Sequence, residues 1–378
     1  MFDEIINRSG THALKLERYK NYKDAIPAWV ADMDFKSPQC VMDALQKRIE
    51  HGIFGYTAVN DELTESVINF IKKEHSWDTS KEWFVFTSGV VASLNIVCGI
   101  LKENESAVTT TPIYPYFLNA PKNMNREVST VPMREINNRW SIDFDEFEKA
   151  IKPNCRLILL CNPYNPGGTI FTKEELLKIA QIAMKYDLLI CSDEIHADLV
   201  LSENAKHIPI ASLSSEIADR TVTLMAPSKT FNIAGLQSSF AIISNEKLKA
   251  AFEKSMGHIN GGVNLLALCA TQAAYEGGGV WLKEVKEYLR GNLKIVQKFI
   301  QNNPKLKLLE LEAAYLAWID CRALDTNAWK LFADNGVILN EGKGFGEGGD
   351  GFVRLNFAMS RAVLKEVLSR METAVRGF

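Results

Sequence analysis

Apolar and polar positions alternate in blocks through the middle of the chain. Short β-prone runs, "WFVFTSG" (83–89), "SAVTTTP" (106–112), "RLILLCNP" (156–163), "LLICSDE" (188–194), "RTVTLMAPS" (220–228) and "SSFAIIS" (238–244), are separated by segments with helical apolar spacing. "VVASLNIVCGIL" and "TKEELLKIAQIAMKYD" (172–187) are the best marked of these. Strands alternating with helices predict βαβ units and a mostly parallel sheet, because parallel neighbours need a long crossover. The near-continuous apolar character of "LILLC" and "LLIC" predicts strands covered on both faces.

The texture changes after "AAYEGGGVW" (273–281). A long charged amphipathic helix is predicted over about 281–302, then short strands in "KLKLLEL" and "AYLAWID", a glycine-rich loop and a last helix from about Ser360. This order predicts a second, smaller α+β domain. The opening residues do not read as part of the sheet. The expected division is therefore an N-terminal segment 1–48 belonging to the small domain, a large domain 49–280 and a C-terminal small domain 281–378.

Composition narrows the function classes. With 43 Lys+Arg against 46 Asp+Glu the formal charge is -3, which argues against an electrostatically driven nucleic-acid binder. The N-terminus lacks a basic-then-apolar leader pattern and no apolar run could span a bilayer, so a cytoplasmic protein is expected. Seven cysteines are scattered without a Cys-x-x-Cys pair, which excludes a zinc site and suits reduced core thiols. "GFGEGG" (344–349) matches Gly-x-Gly-x-x-Gly, but it precedes a strand and not a helix, so it is read as a loop.

Four elements fall at predicted strand ends, where open α/β sheets bind ligands: "TSGVV" (87–91), "NPYNPGG" (162–168), "SDEIH" (192–196) and "PSKT" (227–230). Gly89 opening a helix offers free backbone N–H groups to a phosphate, or is a plain strand-to-helix turn. Asn165 offers an amide to a ligand oxygen, or belongs to a tight turn. Asp193 ends an apolar strand, where an ionised carboxylate needs a cation or hydrogen bonds; helix capping is the alternative. Lys229 is either a surface lysine or a partly desolvated amine with a lowered pKa. Together they supply a phosphate seat, an acid for a protonated ring nitrogen, an amide for a ring oxygen and an amine for a Schiff base, the binding kit of pyridoxal phosphate.

The order "TSGVV", "TPIYPYF", "NPYNPGG", "SDEIH", "APSKTFNIAG", "FVRLNFA" resembles, over nearly the whole chain, the pyridoxal-phosphate enzymes of the aspartate-aminotransferase fold, the class I/II aminotransferases. "IPAWVADMDF" (26–35) and "HGIFGYT" (51–57) resemble the cystathionine β-lyase and cysteine-S-conjugate β-lyase branch. The resemblance implies the α/β architecture of fold type I, a mostly parallel central sheet flanked by helices plus a smaller α+β domain. It implies that Lys229 holds the cofactor as a Schiff base and moves the Cα proton. Asp193 would keep the ring nitrogen protonated, Asn165 would bond the ring oxygen and Tyr114 would stack on the ring. Gly89, Val90, Val91 and Ser228 would hold the phosphate, and Tyr56 of a neighbouring subunit would reach it, implying a homodimer. Arg354 would grip the substrate α-carboxylate, with Ala31 also on the substrate side. Outside the resemblance, Tyr114 could be a packed loop aromatic and Arg354 a structural ion pair. His196 is placed either at the cofactor's oxygen edge or as a helix cap.

Two departures from the wider pattern separate the branches. Ala226 stands where a phosphate-binding serine is common, and "TFNIAGLQ" lacks the arginine that transaminases carry after the lysine. Fewer phosphate contacts matter most to an enzyme whose cofactor is free of its lysine in every cycle. The expected reaction is therefore β-elimination from cystathionine or a cysteine S-conjugate, and possibly cysteine itself, to pyruvate, ammonia and a thiol or hydrogen sulfide. An aminotransferase on the same scaffold and a cofactor-bearing regulatory protein are the alternatives.

Overall fold

The computed structural model describes residues 1–257 and 262–376. Seven strands form the central sheet: β1 (Phe84–Thr87), β2 (Ser106–Thr111), β3 (Glu127–Pro132), β4 (Cys155–Cys161), β5 (Leu189–Asp193), β6 (Thr221–Met225) and β7 (Ser239–Ile242). Their spatial order is β1-β7-β6-β5-β4-β2-β3. Only β7 runs antiparallel to its neighbours. Two inversions in succession, β6 to β7 and β7 to β1, return β1 to the common direction. Every strand except β7 therefore ends at one edge of the sheet, where the loops after β1, β2, β4, β5 and β6 converge.

The sequence pattern explains this layer. β4 is buried along its length apart from Arg156, and β6 and β7 are buried throughout, as expected of strands covered on both faces. Helix α1 (Val90–Ile100) packs across β1, β5, β6 and β7 on one face. Helix α2 (Lys173–Lys185) starts at Thr172, whose side chain and that of Glu175 form a reciprocal cap, as "TKEE" predicts.

A second sheet is fully antiparallel: β8 (Lys307–Leu308), β9 (Leu316–Asp320), β10 (Asn340–Glu341) and β11 (Phe352–Asn356) in the order β8-β9-β11-β10. It is flanked by the 23-residue helix Gly279–Gln301 and by Arg361–Val375, capped by Ser360. From the other end of the chain, Ile26–Pro27 pairs in parallel with Val337–Ile338. The "GFGEGG" segment is a loop leading into β11. Its Gly349 has a steric reason, since a Cβ there would run into the backbone of Gly342 just before the loop, and one on Gly342 into that of Gly349.

All seven cysteines are free and five are buried. Among the described residues no His/Cys/Asp/Glu group could hold a metal ion, and no helix is long and apolar enough to cross a membrane.

Candidate active site

The shared sheet edge gathers the chemistry-bearing residues from five separate stretches of chain. Lys229 does not end its strand; it sits on the short helical turn Pro227–Thr230 that follows β6, with proline as the first helical residue. Its Nζ donates to the carbonyl oxygen of Ala31 at 2.7 Å. Burial lowers the Lys229 pKa to about 8, assisted by Arg354 and opposed by the charges of Asp32 and Asp193. Ala31 thus meets the site through its backbone, and the same oxygen accepts the Tyr315 hydroxyl at 3.0 Å.

Asp193 is the last residue of β5 and is 4% exposed. One oxygen accepts the Ile195 N–H at 3.1 Å, a turn contact that caps no helix. Burial raises its pKa to about 7, with Glu194 pushing the same way and Lys229 opposing. A carboxylate in this setting gains most from a cation placed against it. His196 lies three residues on, buried, with Nδ1 lacking a partner among the described residues and its ring against Tyr315. The cap expected as one option for it is not formed. Burial first, then Lys229 and Arg354, bring its pKa down to about 3, so the ring is neutral.

Arg354, in the middle of β11, is 3% exposed and has no acidic partner among the described residues. One nitrogen, Nη1, donates to Asn165 Oδ1 at 2.9 Å. The other, Nη2, donates to Asn340 Oδ1 at 2.7 Å and to the Trp29 carbonyl at 3.4 Å, while Nε has no partner among the described residues. The guanidinium lies over the Phe345 ring at 4.9 Å. Desolvation lowers its pKa to about 10. A structural ion pair is therefore not what holds it; a buried, charged, incompletely bonded fork is matched by a carboxylate.

Asn165, with Oδ1 taken by Arg354, keeps its amide NH2 for a ligand. Its backbone carbonyl accepts the Tyr114 N–H at 3.0 Å, which binds the turn after β2 to the turn after β4. Tyr114 is half-buried beside Tyr116, and burial raises its phenol to about 12, so it stays protonated.

At the β1 end, Gly89 adopts φ 137°, ψ 149°, a conformation open only to glycine, and no side chain caps the helix that starts at Val90. The first N–H groups of α1, at Val90 and Val91, are thus left for an anion, and a Cβ built on Gly89 would point into open space. Ser228 is buried next to Lys229. Tyr56 is fully exposed at 113%, so it takes no part in its own chain's pocket. It stands among further exposed apolar residues, Ile53 and Phe54.

Sequence reasoning missed the residues that support this constellation. Asn340, Phe345 and Tyr315 are supplied by the antiparallel sheet and its loops, and no local motif marks them. "GFGEGG" was legible as a loop, but not as the carrier of the ring beneath Arg354.

Comparison with known proteins agrees with this geometry. The model of the family described as aminotransferase class I and II matches residues 30–371. The cystathionine beta-lyase PatB of Bacillus subtilis is 37% identical over 385 residues, 99% of each chain. A crystal structure of OvoB superposes with a TM-score of 0.97 at 40% identity over 100% of both chains. Cystalysin from Treponema denticola, whose crystal structure contains pyridoxal 5'-phosphate, superposes with a TM-score of 0.95 at 34% identity over 100% of this chain and 99% of the other. A family match from Val30 to Met371, on a sheet whose strand ends carry that family's motifs in order, means that this chain belongs to the class I and II aminotransferases.

Proposed function

We propose that the protein is a pyridoxal-phosphate-dependent carbon–sulfur β-lyase of the cystathionine or cysteine-S-conjugate type. The observation that carries the cofactor reading is the pairing of a buried, cation-seeking Asp193 with an amine, Lys229, whose pKa burial has brought to about 8. The uncapped start of α1 beside Gly89 fits the phosphate, and the free NH2 of Asn165 fits the ring oxygen. Ser228 would add a hydroxyl to the phosphate seat, and Tyr114 would supply a ring to stack on the cofactor. His196, neutral and with an unpartnered Nδ1 among the described residues, would offer that nitrogen to the oxygen edge.

When bound, the cofactor acts as an electron sink for the pair left on Cα. The protein's part is positioning and proton transfer. Arg354 fixes the substrate carboxylate with a planar fork, and Ala31 closes that side of the pocket. Lys229 Nζ takes the Cα proton; at neutral pH about one amine in ten is already uncharged at this pKa, against about one in 3,000 for an unperturbed lysine. Loss of the β-thiolate and addition of water then give pyruvate, ammonia and a thiol.

The names of the 37% identical cystathionine beta-lyase and of a C-S lyase from Staphylococcus hominis, whose crystal structure superposes with a TM-score of 0.92 at 35% identity over 99% of this chain and 98% of the other, support this over a transaminase. So do Ala226 and the absence of an arginine in "TFNIAGLQ". The homodimer belongs to the proposal, supported by the exposure of Ile53, Phe54 and Tyr56. A reducing cytoplasmic setting is supported by seven free cysteines. The division at 1–48, 49–280 and 281–378 is part of it too, supported by the strand pairing between residues 26–27 and 337–338.

Incubation with cystathionine, cystine, cysteine or a bulky S-conjugate, without a 2-oxo acid, is expected to give pyruvate over many turnovers, with a thiol from the thioethers, a persulfide from cystine and hydrogen sulfide from cysteine. A single stoichiometric turnover would return the chain to the transaminases. Gly89→Ala is expected to weaken cofactor retention about tenfold in a spectrophotometric titration. The reason is backbone strain on the order of 1–3 kcal/mol at the phosphate seat.

A further inference from the structure

Three of the four residues flanking the two chemistry-bearing positions, Ser192, Glu194 and Thr230, enter one buried polar layer. Asp193 lies between Ser192 and Glu194, and the Ser192 hydroxyl donates to Glu194 Oε1 at 2.8 Å. Glu194 also pairs with His207 Nε2 at 2.7 Å and accepts the Ile210 N–H at 3.2 Å. On the other side, Thr230 follows Lys229, and its hydroxyl donates to Asp198 Oδ2 at 2.7 Å. The second oxygen of Asp198 meets His75 Nε2 at 2.8 Å. The two imidazoles touch edge to face, 5.5 Å apart. Each carboxylate thus has one histidine, and all six side chains are buried.

Such a layer is not what stability alone selects, because apolar packing of equal volume does at least as well. What it provides is direction. Asp198 reaches the helical turn of Lys229 from the turn after β5, and His75 fixes it from the last residue of the helix Asp61–His75. We propose that Thr230, Asp198 and His75 form a positioning chain that holds this turn and aims Lys229 Nζ, a role that rests on the lyase reading of the site.

The groups facing His75 are Asp198 and Glu194 from the sheet edge, Glu74 on its own helix and the ring of His207. Lys206 and Lys286 line the small neighbouring cavity of about 150 Å³. Burial pushes His75 down, but Asp198 outweighs it and raises the imidazole above 6.5; the same bond holds Asp198 below 3.8 despite its burial. The clamp is therefore complete across the interval between those values. Its charge pairing is lost as pH falls through the lowered Asp198 pKa or rises through the raised His75 pKa, while a neutral His75 with its proton on Nε2 still donates to Asp198 and the Thr230 bond persists.

The test uses the full-length protein loaded with cofactor, and compares Thr230→Val, Thr230→Ser and His75→Gln. Read out are kcat, KM and the pH titration of the absorbance band of the lysine-bound cofactor. Thr230→Val is expected to lower kcat about tenfold with KM within about twofold, since small misplacements of a reacting group are costly. Its spectral titration should move by about one pH unit, and Thr230→Ser should restore both. His75→Gln, remote from the reacting atoms, should shift the titration in the same direction and keeps the test decisive if the valine variant does not fold. A wild-type protein without the lysine-bound band sinks the site reading and this proposal together. A normal wild-type band with unchanged titrations in Thr230→Val or His75→Gln, or a loss that serine does not restore, overturns the positioning chain alone.

Discussion

Lys229→Ala is expected to lower turnover of an S-substituted cysteine by about 10⁴-fold while the protein still folds. Under the proposed function two roles disappear with the side chain: the covalent hold on the cofactor and the base at Cα, the latter alone worth up to about 10⁴. The fold has little to lose. Among the described residues the Lys229 amine makes one hydrogen bond, to Ala31, and that oxygen keeps the Tyr315 hydroxyl as a partner. Removing a half-buried amine also removes a desolvation cost. A spectrum of wild-type protein should show a lysine-bound band that the alanine variant lacks, and a steady-state pyruvate assay should show the rate loss. An alanine variant retaining more than about a hundredth of wild-type turnover would mean that the base is another group.

Arg354→Gln is expected to cost about 10²- to 10³-fold in kcat/KM, or about 3–4 kcal/mol, with the cofactor band unchanged. The effect should lie in substrate binding, because Arg354 is the one candidate carboxylate anchor in the constellation. Arg354→Lys should recover little of the loss, since an ammonium offers no planar fork. Stability should move the other way. A guanidinium that is 3% exposed, with Nε unbonded and no carboxylate beside it among the described residues, is a burden in the substrate-free protein. The glutamine variant should therefore melt at or above the wild-type temperature, as groups kept for function often cost stability. A change in kcat/KM below about tenfold would assign the carboxylate to another residue.

Much of this site was legible because a parallel sheet delivers its strand ends to one edge. "LILLCNP", "LLICSDE" and "RTVTLMAPSK" each carry their functional residue just past the apolar run, so periodicity alone places Asn165, Asp193 and Lys229 near one another. Gly89 could be placed only through the topology, since it depends on the antiparallel β7 being inserted between β6 and β1. The Arg354 environment was less readable. Asn340 lies in a two-residue strand and Trp29 contributes only a carbonyl, so neither leaves a pattern in side-chain polarity. His75 and Asp198 were hidden for a similar reason, being 123 residues apart and each unremarkable in its own segment.

The carbonyl of Ala31 has a consequence for motion. An enzyme that uses one lysine both as tether and as base must let that side chain travel repeatedly, and each departure breaks whatever bond held it. A buried acceptor abandoned in this way ordinarily costs about 1–3 kcal/mol, which would add to every cycle. Here the oxygen has two donors, and the Tyr315 hydroxyl stays when the amine leaves. On the proposed lyase function, the amine therefore leaves that oxygen without stranding it, so breaking this bond adds little to the barrier.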